Sequence, residues 1–75
     1  MDVARLRQFV AARSFRPFKL VLPSDRKLDV PHPEFISISP AGNDAVVWRK
    51  NGISEHIDIR WIISVKAKPP YAKRS

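Results

Sequence analysis

The chain has no cysteine among its 75 residues, which excludes a disulfide framework, a thiolate zinc site and a cysteine nucleophile. A reducing cytoplasm is the compartment this absence fits. Only two glycines, Gly42 and Gly52, are present, too few for a glycine-rich phosphate-binding loop. No apolar run approaches the roughly 18 residues of a membrane span. The opening Met1-Asp-Val-Ala-Arg-Leu-Arg-Gln8 lacks the continuous apolar stretch of a secretory signal, so no membrane contact is expected. Acid is scarce too: seven acidic side chains face fourteen lysines and arginines, a formal charge of +7. A chain this short buries only about 60 % of the surface its unfolded form exposes, so one domain with a small core is expected, and self-association would add cover.

The charge is informative once divided along the chain. Residues 1–16 hold Arg5, Arg7, Arg13 and Arg16 against Asp2. Residues 17–65 hold six basic and six acidic side chains and are neutral, whereas residues 66–75 hold Lys66, Lys68, Lys73 and Arg74 with no acid. The excess therefore sits at the two ends, where it would attract phosphate or an acidic partner with strong salt dependence, or would serve only solubility.

Val3, Leu6, Phe9 and Val10 follow a helical rhythm, with Asp2 placed as N-cap. Arg16 precedes Pro17 and is pushed out of the helical region, so the pattern predicts a helix over about 3–14 that ends near Arg13 to Phe15. From Pro17 the period becomes two. Phe18, Leu20 and Leu22 alternate with Lys19 and Val21, then Pro23-Ser24-Asp25-Arg26 turns and Leu28 and Val30 resume opposite Lys27 and Asp29, a first hairpin. Pro31-His32-Pro33 must break, bulge or bend the second strand before Phe35-Ile-Ser-Ile-Ser39 continues it. Asn51-Gly52 is a strong hairpin signal after a strand over Asp44–Lys50. Taken as a two-residue turn it sets Val46 opposite Ile57 and Trp48 opposite Glu55, with Val46, Trp48, Ile53, Ile57 and Ile59 on the buried face. Arg60-Trp61 reads as a tight turn before a last strand over Ile62–Val65. The expected fold is mainly β with one N-terminal helix: a five-stranded small barrel over residues 1–66, followed by a basic, flexible tail over residues 67–75.

This order of elements resembles the Sm-like family, an SH3-type small barrel. Pro17-Phe-Lys-Leu-Val-Leu-Pro-Ser-Asp-Arg-Lys-Leu-Asp29 looks like the first strand pair of its Hfq-like bacterial branch. Ser54-Glu-His-Ile-Asp-Ile-Arg-Trp-Ile-Ile-Ser-Val65 looks like the family's last two strands, with Ile59-Arg60 matching the Ile-Arg that opens its final turn. The resemblance covers about a third of the chain and implies RNA binding and assembly through strand edges. The chain departs from the pattern at Pro31-His32-Pro33 and at Trp61, where the family has glycine. A Tyr-Lys-His run that resembles the uridine-binding rim falls on Asp58, Ile59 and Arg60, so Arg60 alone carries over. The Pro17-Phe18 start and the His32-Pro33-Glu34 step also resemble short uncharacterised bacterial proteins, which implies no function.

Neither His32 with Glu34 nor His56 with Asp58 has a third ligand at metal spacing, and no serine lies in a nucleophile-elbow pattern, so no catalytic residue, metal or cofactor is expected. Single-stranded nucleic acid needs cations and exposed aromatic faces. Arg5, Arg7, Arg13, Arg16, Arg60, Lys66, Lys68, Lys73 and Arg74 supply the first. Phe9, Phe18, Phe35 and Trp48 read as core by periodicity, which leaves Phe15, Trp61 and Tyr71; Trp61 could stack on a base beside Arg60, plug the barrel end under the helix or fill a subunit contact, and the two packing readings are favoured. Two functions stay open: a non-enzymatic binder of RNA or another polyanion, and a protein-interaction module that meets an acidic partner or forms a homo-oligomer through its edge strands.

Overall fold

The computed structural model describes residues 1–67. Asp2 starts helix α1, Val3–Val10, by accepting a 3.0 Å hydrogen bond on its carboxylate from the Ala4 N–H, while its carbonyl accepts from Arg5 and Leu6. The helix is shorter than the 3–14 its pattern suggests. Ala11 caps it, and Ala11, Ala12, Arg13 and Ser14 are all exposed, so no buried face supports a further turn. Leu6 is fully buried, and Phe9 and Phe15 each bring a ring within 5.6 and 5.8 Å of Phe18, which fastens the helix and the segment after it onto the first strand.

Six strands follow: β1 (Phe18–Leu22), β2 (Arg26–Val30), β3 (Ile36–Ile38), β4 (Asp44–Trp48), β5 (Ser54–Asp58) and β6 (Ser64–Ala67). They form two antiparallel three-stranded sheets, ordered β2-β1-β6 and β3-β4-β5. The expected five-stranded barrel is thus corrected to an open pair of sheets. The physical cause lies first at Pro31-His32-Pro33. Two residues without N–H donors cannot extend a ladder, and the chain instead makes a 3-10 turn over Pro33–Phe35, so β2 and β3 end in different sheets. A second 3-10 turn, Ile59–Trp61, separates β5 from β6 in the same way.

The first hairpin keeps its expected faces except at Val21, expected beside Lys19 on the outer face and buried there instead, at 8 % exposure. Phe18 opposes Val30 and Leu20 opposes Leu28, and these four side chains join Leu6, Leu22, Ile36, Ala45, Val47, Ile59 and Ile62 in one core between the helix and the sheets. The second hairpin does not. Arg49 N–H donates to the Ile53 carbonyl at 2.7 Å and Gly52 N–H to the Arg49 carbonyl at 3.0 Å, which makes Lys50-Asn51-Gly52 a three-residue loop with Gly52 at φ +89°. The register shifts by one: Ala45 opposes Ile57 and Trp48 opposes Ser54. A one-residue slip exchanges the faces of a strand. Ala45 and Val47 therefore enter the core where Val46 and Trp48 were expected, Trp48 stays 39 % exposed, and Ile53 reaches 55 %. Ile57 and Ile59 keep their inward places. No helix among the described residues is long and apolar enough to cross a membrane.

Candidate functional site

The β1–β6 pairing decides where the cations meet. Phe18 lies opposite Ala67 and Lys19 opposite Lys66, with Asp29 of β2 across from Lys19 on the other side. Two like charges directly opposed in a ladder repel. Lys19 is relieved by a 3.0 Å salt bridge to Asp29, whereas Lys66 has no ion-pair partner among the described residues. A groove of about 630 Å³ runs beside this row, from Pro17 and Phe18 to Pro31, and the β4–β5 loop brings Lys50 into it with Lys19, Lys66 and Asp29.

On the far side of Ala67, Arg5 and Gln8 of α1 meet Phe9, Ser14 and Arg16 around a smaller hollow of about 180 Å³. The short helix is what makes this meeting, because the chain leaves it at Val10 and returns so that Arg16, just before β1, lines the same hollow as Arg5. The two concavities share Ala67 and are lined by five cations, with Asp29 the one carboxylate in either lining. A surface of this kind attracts phosphate through long-range fields and direct charge-assisted hydrogen bonds.

Of the residues singled out from the sequence, Arg5, Arg16 and Lys66 come together here. The others go elsewhere. Arg7 turns to the β3–β4 loop and donates to the carbonyls of Ser39 at 3.2 Å and Pro40 at 3.5 Å. Arg13 is exposed but lines neither concavity. Arg60 folds onto Asp58: its Nη2 lies 2.7 Å from Oδ2, its Nε donates to the same carboxylate, and its backbone N–H donates to Oδ1 at 2.9 Å. These bonds, the side-chain one foremost, hold the Asp58 carboxyl below its ordinary pKa and the Arg60 guanidinium above its own, and the ion pair leaves the two side chains with no net charge between them. Trp61 is 61 % exposed on the turn before β6, outside the basic surface. Lys68, Tyr71, Lys73 and Arg74 lie outside the described residues.

Lys19 and Lys50 were not singled out from the sequence. Both belong to a stretch whose charges cancel, and only the pairing of β1 with β6 and the reach of the β4–β5 loop set them beside Lys66. His32 stacks 5.9 Å from Phe35 and His56 is exposed on β5, and no group of three or more metal-binding side chains occurs among the described residues. No family model matches this chain, and neither a curated protein nor a solved structure matches it.

Proposed function

We propose that this chain is a non-enzymatic module that binds the phosphate backbone of RNA, and other polyanions of similar charge density, across the end of the β1–β6 pair. The observation that supports the reading is the convergence of Arg5, Arg16, Lys19, Lys50 and Lys66 around Ala67 with one opposing carboxylate. In this reading the surface expected from helix and tail loses Arg7, Arg13, Arg60 and Trp61 and gains Lys19 and Lys50.

Five phosphate contacts to a single strand correspond to a log–log salt slope of about −3.5. A fluorescence titration with uridine-rich and adenine-rich RNA at two salt concentrations reads that slope. Replacing Arg5 and Arg16 by glutamine is expected to lower its magnitude by about 1.4. Absence of RNA binding even at low salt overturns the reading. A salt slope left unchanged both by the glutamine replacements and by Lys50→Gln with Lys66→Gln overturns the placement of the surface.

A second reading, an assembly module, is favoured by a separate feature. Trp61 and Ile63 are 61 % and 65 % exposed on the approach to β6, an edge strand of its sheet. Chromatography with light scattering decides it: a stable oligomer whose formation is lost in Trp61→Ser, without RNA affinity, supports this reading over the first.

A further inference from the structure

A second groove, of about 420 Å³, lies between β2 and the β4–β5 hairpin and joins the basic groove at Asp29, Pro31 and Lys50. Trp48 stands in its wall. The register of the hairpin places this indole on the face of β4 turned away from Ala45 and Val47, 39 % exposed, where a large apolar side chain forfeits part of its burial free energy. Cations surround it unequally. Lys27 is 3.4 Å from Asp25, and Arg49 is paired with Glu55, whereas Lys50 at the junction has no ion-pair partner among the described residues. A flat, rigid, half-exposed ring beside an uncompensated ammonium group is what stacking on a base and holding the adjoining phosphate require.

We propose that this groove holds an unpaired base of single-stranded RNA, stacked on Trp48, while Lys50 takes the phosphate that leads from that base into the basic groove. The inference rests on the polyanion reading and adds the strandedness of the ligand. Bases within a duplex have both faces covered by their neighbours and cannot stack on a side chain without being unpaired. An acidic protein segment satisfies the cations equally well but has no use for the indole, so the aromatic wall is what favours nucleic acid.

The experiment uses the full chain carrying Trp61→Phe, which leaves Trp48 as its one tryptophan. Trp48 emission is followed at low salt during titration with a uridine-rich single strand, an RNA duplex and inorganic polyphosphate. The single strand is expected to quench Trp48, polyphosphate to bind without quenching, and the duplex to bind more weakly than the single strand. Trp48→Ala is expected to weaken single-strand binding about tenfold, Trp48→Phe to restore most of it, and polyphosphate affinity to stay unchanged in both. Single strand and polyphosphate that bind while Trp48 emission stays constant, or a duplex that matches the single strand, overturn the inference and leave the polyanion reading standing. Failure of all three ligands to bind overturns both. If Trp48→Ala does not fold, the quenching arm decides alone.

Discussion

The central strand of one sheet differs sharply from that of the other. In β1, four of five side chains are buried, Phe18, Leu20, Val21 and Leu22, and Lys19 alone is exposed. In β4 only Ala45 and Val47 are buried, and the sheet's outer face presents Val46, Trp48 and His56. The β1 sheet is thus the stabilising half of a small molecule, packed against α1 through Phe9, Phe15 and Phe18, whereas the β4 sheet is joined to it through fewer buried side chains and through ions. Arg26 of β2 reaches across to Glu55 of β5 at 2.6 Å, and Arg49 closes on the same carboxylate. Apolar burial is thus concentrated in one sheet and exposed side chains in the other, and the proposed ligand surface lies where the two meet.

The strongest way to break this comparison is truncation at the two centres. Leu20→Ala, at a side chain with no exposure, is expected to cost about 2–5 kcal/mol in chemical denaturation, enough to unfold most of a domain this small. Val46→Ala, half-buried on the central strand of the other sheet, is expected to cost less than about 1 kcal/mol. Equal losses would mean that the sheets share the core evenly.

The two glycines sharpen the picture at the β4 sheet's own turns. Gly42 has φ +79°, and a Cβ there would meet Val3 Cγ1 and Cγ2 of the helix at 3.2 Å; Gly52 has φ +89° with open space around it. Gly42→Ala is therefore expected to cost about 2 kcal/mol or more, since strain and crowding add, and Gly52→Ala about 1 kcal/mol from strain alone. Thermal melts of the two variants read the difference. An equal shift would show that the helix does not bear on the β3–β4 loop.

A smaller effect tests the ionic link. The Arg26 hydrogen bond foremost, then Arg49, holds the Glu55 carboxyl below its ordinary value of 4.5. A depressed folded-state pKa contributes stability that is fully present above the unfolded value and is lost as pH falls through the folded one. Stability is accordingly expected to decline below about pH 4.5, and Glu55→Gln to remove that part of the decline while costing about 0.5–1 kcal/mol at neutral pH, because both arginines are about half exposed. An unchanged acid profile in Glu55→Gln would remove the link from the account. The smallest effect is expected at Arg60. Its charge is already matched by Asp58, so Arg60→Ala should leave RNA affinity and salt slope within error of the parent, whereas Lys50→Gln with Lys66→Gln, at two cations without an ion-pair partner among the described residues, lowers both.

Local patterns were legible where one residue type admits one backbone outcome. Asp2 caps the helix, the alternation of Phe18, Leu20 and Leu22 builds β1, and the prolines at 31 and 33 end the ladder. Their consequence was harder to read. A bend that keeps the ladder and a turn that abandons it both satisfy the same two prolines, and the choice between a barrel and two sheets depends on whether distant strands pair. The hairpin at Asn51-Gly52 was legible as a turn but not as a register, because Gly52 serves a two-residue and a three-residue loop alike, and the one-residue difference turned Trp48 from an expected core residue into a groove wall.

By itself, the sequence determined the helix start, the positions of the turns, the alternation of the first hairpin and the gathering of net charge at the ends. These follow from forces that act within a few residues: capping, fixed proline φ, and side chains on alternate sides of a strand. Only the tertiary structure decided that β6 lies beside β1, that Lys50 of a neutral stretch joins Lys66, and that Arg7 and Arg60 are drawn away to other partners. Coulomb interactions depend on distance through space rather than along the chain, so a basic surface exists only once the strands have been paired.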